Sequence, residues 1–269
     1  MKKAIIYITL ADLIFILLLA ISGLFSGVAE RIVYYIAFAA PFLMTIFIIK
    51  KDNIPFYPLK LKMSCKNALL VAPILAPTLL GVFFISWITS LMLTQFGYVN
   101  VVDVSGNILY VVLIHAFVPA LFEEALFRYI PISCLSPYSK RSAVLISALC
   151  FSLVHCNLFQ IPYAFTAGVV FAVIDIMCGS ILPSFAFHFI NNATSVLWLR
   201  HADNKYFAII YLSVLFVLAV ASAVPIIIKR KVYKDKLVEI FGDKSKQELS
   251  FVLVFFAFAT LIMAVMNLK

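Results

Sequence analysis

Polar positions are scarce along this chain, and where they fall they divide it into nine apolar windows. These lie near 4–25, 31–49, 67–95, 108–131, 142–158, 161–178, 180–199, 206–228 and 249–268. A helix needs about 20 residues to cross the hydrocarbon core of a bilayer, and most of the windows are near that length. The pattern therefore predicts an all-α fold, a polytopic transmembrane helical bundle of about eight to nine spans, with 1–269 forming a single integral membrane domain. The windows on either side of residue 160 are short and only weakly separated. Lys2-Lys3 followed by an apolar stretch ending in Ser26-Gly27-Val28-Ala29 is similar to a secretory signal. Its length and the Asp12 within it favour an uncleaved first helix. The charged stretch 229–248 reads as a solvated cytoplasmic loop with an amphipathic turn around 237–241. No inverted repeat, low-complexity tract or separate soluble domain is visible.

Composition turns this pattern into a statement about solvent. Apolar residues make up 65% of the chain and charged ones 12%, with a mean hydropathy of +1.11. A soluble protein needs roughly a quarter of its residues charged, so much of this surface must face lipid. The net charge of +9 does not point to nucleic acid. The basic residues sit in short clusters between windows, at 2–3, 50–66, 140–141 and 229–246, and no basic run is interleaved with exposed aromatics on a soluble unit. With the N-terminus inside and nine spans, 16 lysines and arginines fall on the inner side and 4 on the outer, with Arg128 within a span. The positive-inside rule then predicts a multi-pass cell-membrane protein with a cytoplasmic N-terminus. The five cysteines form no Cys-x-x-Cys pair and read as apolar fillers or free thiols, Cys156 beside His155 included.

An ionisable group inside a span is costly unless it is paired or lines a cavity. Apart from Asp12, the candidates cluster between 115 and 192. They are His115, Glu123, Glu124 and Arg128 in the fourth window, His155 in the fifth, Asp175 in the sixth, and His188, Asn191 and Asn192 in the seventh. On a helix Glu124 and Arg128 stand one turn apart and can neutralise each other. Glu123 points about 100° away without a local partner, the setting in which a carboxyl becomes a usable acid or base near neutral pH. The alternative is that both glutamates only brace the bundle through Arg128. His155 lies one turn beyond Phe151, and Asn192 one turn beyond His188. Counted from the Lys140-Arg141 tip, Glu123 and His155 both lie within roughly 21–26 Å of it, so they can share a level.

A glutamate and a histidine around one water could activate it for attack on a carbonyl, while a second histidine and a carboxamide stabilise the oxyanion. No serine stands in a Gly-x-Ser-x-Gly context. Two histidines and a carboxylate could instead bind zinc, although His-Glu-x-x-His is absent. A proton-coupled transporter with Glu123 and Asp175 as relay groups is a third possibility.

Glu123-Glu124-x-x-x-Arg128, Phe151-x-x-x-His155 and His188-x-x-x-Asn192, in this order on successive helices, resemble the CAAX-protease and bacteriocin-processing (CPBP) family of intramembrane glutamic endopeptidases, which includes type II CAAX prenyl endopeptidases. Gly179-Ser180-Ile181-Leu182-Pro183 ahead of His188 is also similar. The resemblance covers about residues 108–200, the motif-bearing core. It implies hydrolysis of a peptide bond in a peptide or membrane-associated protein, without a cofactor or metal. Glu123 and His155 would activate water, His188 and Asn192 would stabilise the oxyanion, and Glu124 with Arg128 would order the site. No role carries over to Asn191, and His115 and Asp175 read as structural. The family is expected to have about eight helices, one fewer than the windows here. It also contains members suspected of acting as scaffolds, so a non-catalytic membrane scaffold or bacteriocin-immunity protein is the alternative. The Ile/Lys/Phe-rich composition and compact loops fit a bacterium better than a eukaryotic endoplasmic reticulum, which disfavours a prenylated substrate.

Overall fold

Each of the nine windows holds a helix in the computed structural model, which describes residues 1–99, 102–242 and 251–266. Among the described residues ten helices follow one another: α1 (Lys2–Ser22), α2 (Gly27–Lys51), α3 (Cys65–Gln95), α4 (Ile108–Leu135), α5 (Lys140–Leu153), α6 (Ile161–Cys178), α7 (Leu182–His201), α8 (Lys205–Ile228), α9 (Arg230–Phe241) and α10 (Phe251–Met266). Of these α1, α2, α3, α4, α6 and α8 are long and apolar enough to cross a membrane. α5 has only 14 residues, about 21 Å of helix, and α7 carries the polar residues of the third motif. Large apolar side chains such as Leu218, Val220 and Ile227 of α8 stand more than half exposed, as expected where lipid replaces water.

Local chemistry sets where the helices start and stop. Ser64, Asn107, Ser139 and Asn204 each accept a backbone N–H of the turn that follows them, capping α3, α4, α5 and α8. α6 ends at Gly179, whose left-handed φ of 62° is the conformation glycine adopts without strain. Beyond it, Lys60 N–H donates to Gly179 O and Ile181 N–H donates to Lys60 O, so the α6–α7 turn is pinned at the basic end of the bundle.

Two expectations need correction. The fifth helix stops at Leu153 instead of running to 158, because Asn157 starts a turn: its side chain accepts Phe159 N–H and its carbonyl accepts Gln160 and Ile161 N–H. Residues 229–242 are not a solvated loop; they form α9, an amphipathic helix. Its Ile240 is buried with Ile132, Val144 and Val173, Tyr233 Oη donates to Leu70 O, and Lys140 pairs with Glu239. Residues 243–248 of the expected loop, and positions 249–250 and 267–268 of the ninth window, lie outside the described residues.

α4 is not one uniform helix. Its turns widen to π geometry at Leu113–Phe117 and again at Ala125–Tyr129, each time two residues ahead of a proline, Pro119 and Pro131. A helical proline removes one N–H and crowds the carbonyl four residues back, and widening the preceding turn relieves both. For Pro131 that carbonyl belongs to Phe127. It accepts Ser147 Oγ–H at 2.7 Å and Arg128 Nη1–H at 3.1 Å instead. The second widened turn thus carries Arg128 and supplies one of its acceptors.

Candidate active site

Arg128 is completely buried among its partners. Nη1 donates to Phe127 O, to Ser147 O and to Ser147 Oγ, the last two at 3.2 Å. Its guanidinium carbon sits 4.1 Å from the centre of the Phe151 ring, at cation–π distance. Nε lies 3.6 Å from Glu124 Oε2, the i,i+4 pair expected from the spacing. Glu124 is equally buried and also reaches α7, where its Oε1 is 2.8 Å from His188 Nδ1. A carboxylate only accepts hydrogen bonds, so beside ionised Glu124 the His188 Nδ1 carries a proton. Glu124 therefore links the cation on its own helix to the histidine on another.

Glu123 lies on the other side of that histidine, with Oε2 3.8 Å from His188 Nε2. This oxygen is buried and makes no hydrogen bond to any described residue. His155 sits just past the end of α5, its Nδ1 2.8 Å from Phe151 O. The carbonyl fixes the tautomer, leaving Nε2 as the lone-pair nitrogen of the neutral ring. Phe151 also meets the rings of His155 and His188 edge-on, at centroid distances of 5.2 and 5.4 Å. One phenylalanine thus spaces both histidines and covers Arg128.

Glu123, His155, His188 and Asn192 all line one cavity of about 1050 Å³, whereas Glu124 and Arg128 lie behind its wall. The four predicted catalytic residues therefore share one space, and the supporting pair stands in contact with them through His188. Asp175 keeps the structural role expected of it. It is buried and its Oδ1 accepts Ser184 N–H at 3.0 Å, in the first turn of α7, where a carboxylate satisfies an unpaired helix donor. His115 is different: it is exposed on the cavity wall rather than packed inside the bundle.

Asn191 had no expected role, yet it too lines the cavity, and its Nδ2–H donates to Asn192 Oδ1 at 3.2 Å. That bond occupies the Asn192 carbonyl and leaves its amide N–H groups for the cavity. Adjacent positions on one helix normally face apart, so spacing alone gave no signal for it. None of the five cysteines is in a disulfide, and among the described residues no group of three His, Cys, Asp or Glu side chains is arranged to hold a metal ion.

Residues 105–194 match the family model described as Rce1-like, type II CAAX prenyl endopeptidase. No curated protein matches the chain, and no solved structure does. The matched segment holds all three motifs, in agreement with the CPBP resemblance. The site thus lies in the segment that matches this family model, within a multi-pass helical membrane protein, and the match supports a CAAX protease-type membrane endopeptidase in general.

Proposed function

We propose that this chain is a metal-independent intramembrane endopeptidase of the glutamic type, which cleaves a peptide or a membrane-associated protein by direct attack of water. Glu123 and the lone-pair nitrogen of His155 take the proton of the water as its oxygen bonds to the scissile carbonyl carbon. The carbonyl oxygen becomes anionic and meets donors from α7, His188 Nε2–H and Asn192 Nδ2–H. His188 can donate at both nitrogens only as the imidazolium. When the tetrahedral intermediate collapses, the C–N bond breaks and the proton held at Glu123 or His155 passes to the leaving amine. No bond forms between enzyme and substrate.

The observation that carries this reading is the shared cavity. Two proton acceptors and two oxyanion donors from three parts of the chain line it, and the buried Glu124–Arg128 pair holds His188 from behind. The whole chain acts as one integral membrane domain with its catalytic core at about 108–200, multi-pass in the cell membrane of a bacterium. Cleavage of quenched peptides by purified protein tests the assignment. Glu123→Ala and His155→Ala should each abolish turnover at unchanged protein level, and retained cleavage in either would remove that residue from the mechanism.

A further inference from the structure

The cavity is confined to one half of the bundle. α2 contributes Tyr34 and Tyr35 but nothing near Lys50; α3 contributes residues 79–94 but nothing near Lys66; α6 contributes 163–171 and α7 188–199. Its mouth is bordered by Glu30, Arg31, Thr94, Val99, Val102 and Tyr110, which belong to the helix ends and connections remote from the basic clusters. In the opposite direction the site is floored. Glu124, Arg128, Ser147, Asp175, Ser180 and Ser184 are at most 1% exposed, and they separate the catalytic side chains from the basic end. The turn held by Lys60, Gly179 and Ile181 closes the bundle below them.

The positive-inside rule places the end rich in lysine and arginine in the cytoplasm. Among the described residues that end carries 14 lysines and arginines against 3 at the other. From these observations we infer that the catalytic cavity opens to the extracytoplasmic side of the membrane. Its substrate is then a peptide, or an extended segment of an exported or membrane protein, presented from outside the cell. A lipidated C-terminus on the cytoplasmic leaflet would meet the sealed basic end. The volume suits an extended segment, since about 1050 Å³ is at the upper end of the range for ligand pockets, and the outer walls carry aromatic faces from Tyr35, Trp87, Trp198 and Tyr211. The substrate class rests on the endopeptidase reading; the direction of opening does not.

Two thiol positions separate the ends. Cys65 is native, exposed and at the basic end of α3; Thr94 is exposed at the mouth, at the other end of the same helix. Intact cells making the full chain are treated with a membrane-impermeant sulfonated maleimide. The inference predicts that Thr94→Cys in a Cys65→Ser background is labelled, while Cys65 in the parent chain stays unlabelled until the membrane is permeabilised. Labelling of Cys65 in intact cells, or no labelling of Thr94→Cys there, overturns it. Membrane vesicles of both orientations are then given an impermeant quenched peptide library. Cleavage should occur in the orientation that exposes Thr94→Cys, and cleavage only in the orientation that exposes Cys65 overturns the inference. Labelling as expected with no cleavage in either orientation counts against the endopeptidase reading and leaves the direction of opening standing.

Discussion

Two ion pairs in this molecule look alike on paper and differ in consequence. Arg128–Glu124 is sealed from solvent on both sides, and removing the cation leaves the buried Glu124 carboxylate with His188 alone beside it, Glu123 lying on the far side of that ring. Arg128→Met should therefore destabilise the protein by about 3–5 kcal/mol, read as a lower unfolding temperature in detergent. Lys140–Glu239 joins α5 to α9 with both side chains more than a third exposed. The hydrogen bond from Lys140, followed by that from Lys236, holds the Glu239 carboxyl below its ordinary range. Its contribution is thus present above the unfolded carboxyl value of about 4.3 and lost as pH falls through the lower folded value. After solvent screening, Glu239→Gln should cost less than about 1 kcal/mol. A third residue, Asn191, positions the Asn192 amide, so Asn191→Ala should lower kcat about five- to tenfold, the worth of one neutral hydrogen bond, with KM unchanged. The other site residues were legible because i,i+4 spacing and apolar surroundings single them out. Asn191 was not, because its role depends on side-chain rotamers rather than on helix register.

Helix positions were read well wherever an apolar run was long, and less well where local geometry overrode hydropathy. The windows for α3, α6 and α8 lie within two residues of the observed helices. The early end of α5 rests on one asparagine turn, and α9 on packing of Ile240 and Tyr233, neither of which shows in an average over a window. The two widened turns of α4 are marked in the sequence by Pro119 and Pro131, but which partners the freed carbonyls find depends on tertiary contacts. Close approach of α5 and α6 is a further such contact. A Cβ on Gly168 would stand 3.0 Å from the Ala148 backbone and 3.2 Å from Arg128 Nη2. Gly168→Ala should therefore push α6 away from α5 and disturb the guanidinium, costing about 1–3 kcal/mol. Thermal unfolding together with the rate of peptide cleavage checks this, and an unchanged unfolding temperature would show that the helices separate freely.

At the scale of the whole molecule, hydropathy alone pointed to lipid as the main solvent, and charge placement set the expectation of an inner and an outer end. How the motifs meet was less legible. The Gly179–Ser180 turn carries no charge to mark its depth, and it is the contact with Lys60 that ties it to the basic end and fixes where His188 stands along the bundle. With that contact in place, four side chains reach one cavity and a buried pair holds one of them. The central claim is that Glu123 activates water there without a metal. It is tested most directly by cleavage of a mixed quenched peptide library by purified protein in detergent, comparing the parent chain with Glu123→Gln, each with and without a strong chelator. The account predicts that cleavage survives the chelator and falls by about 100- to 10,000-fold in Glu123→Gln, the span expected for loss of a general base, at an unchanged unfolding temperature. Cleavage abolished by the chelator and restored by zinc, or cleavage retained in Glu123→Gln, would contradict it.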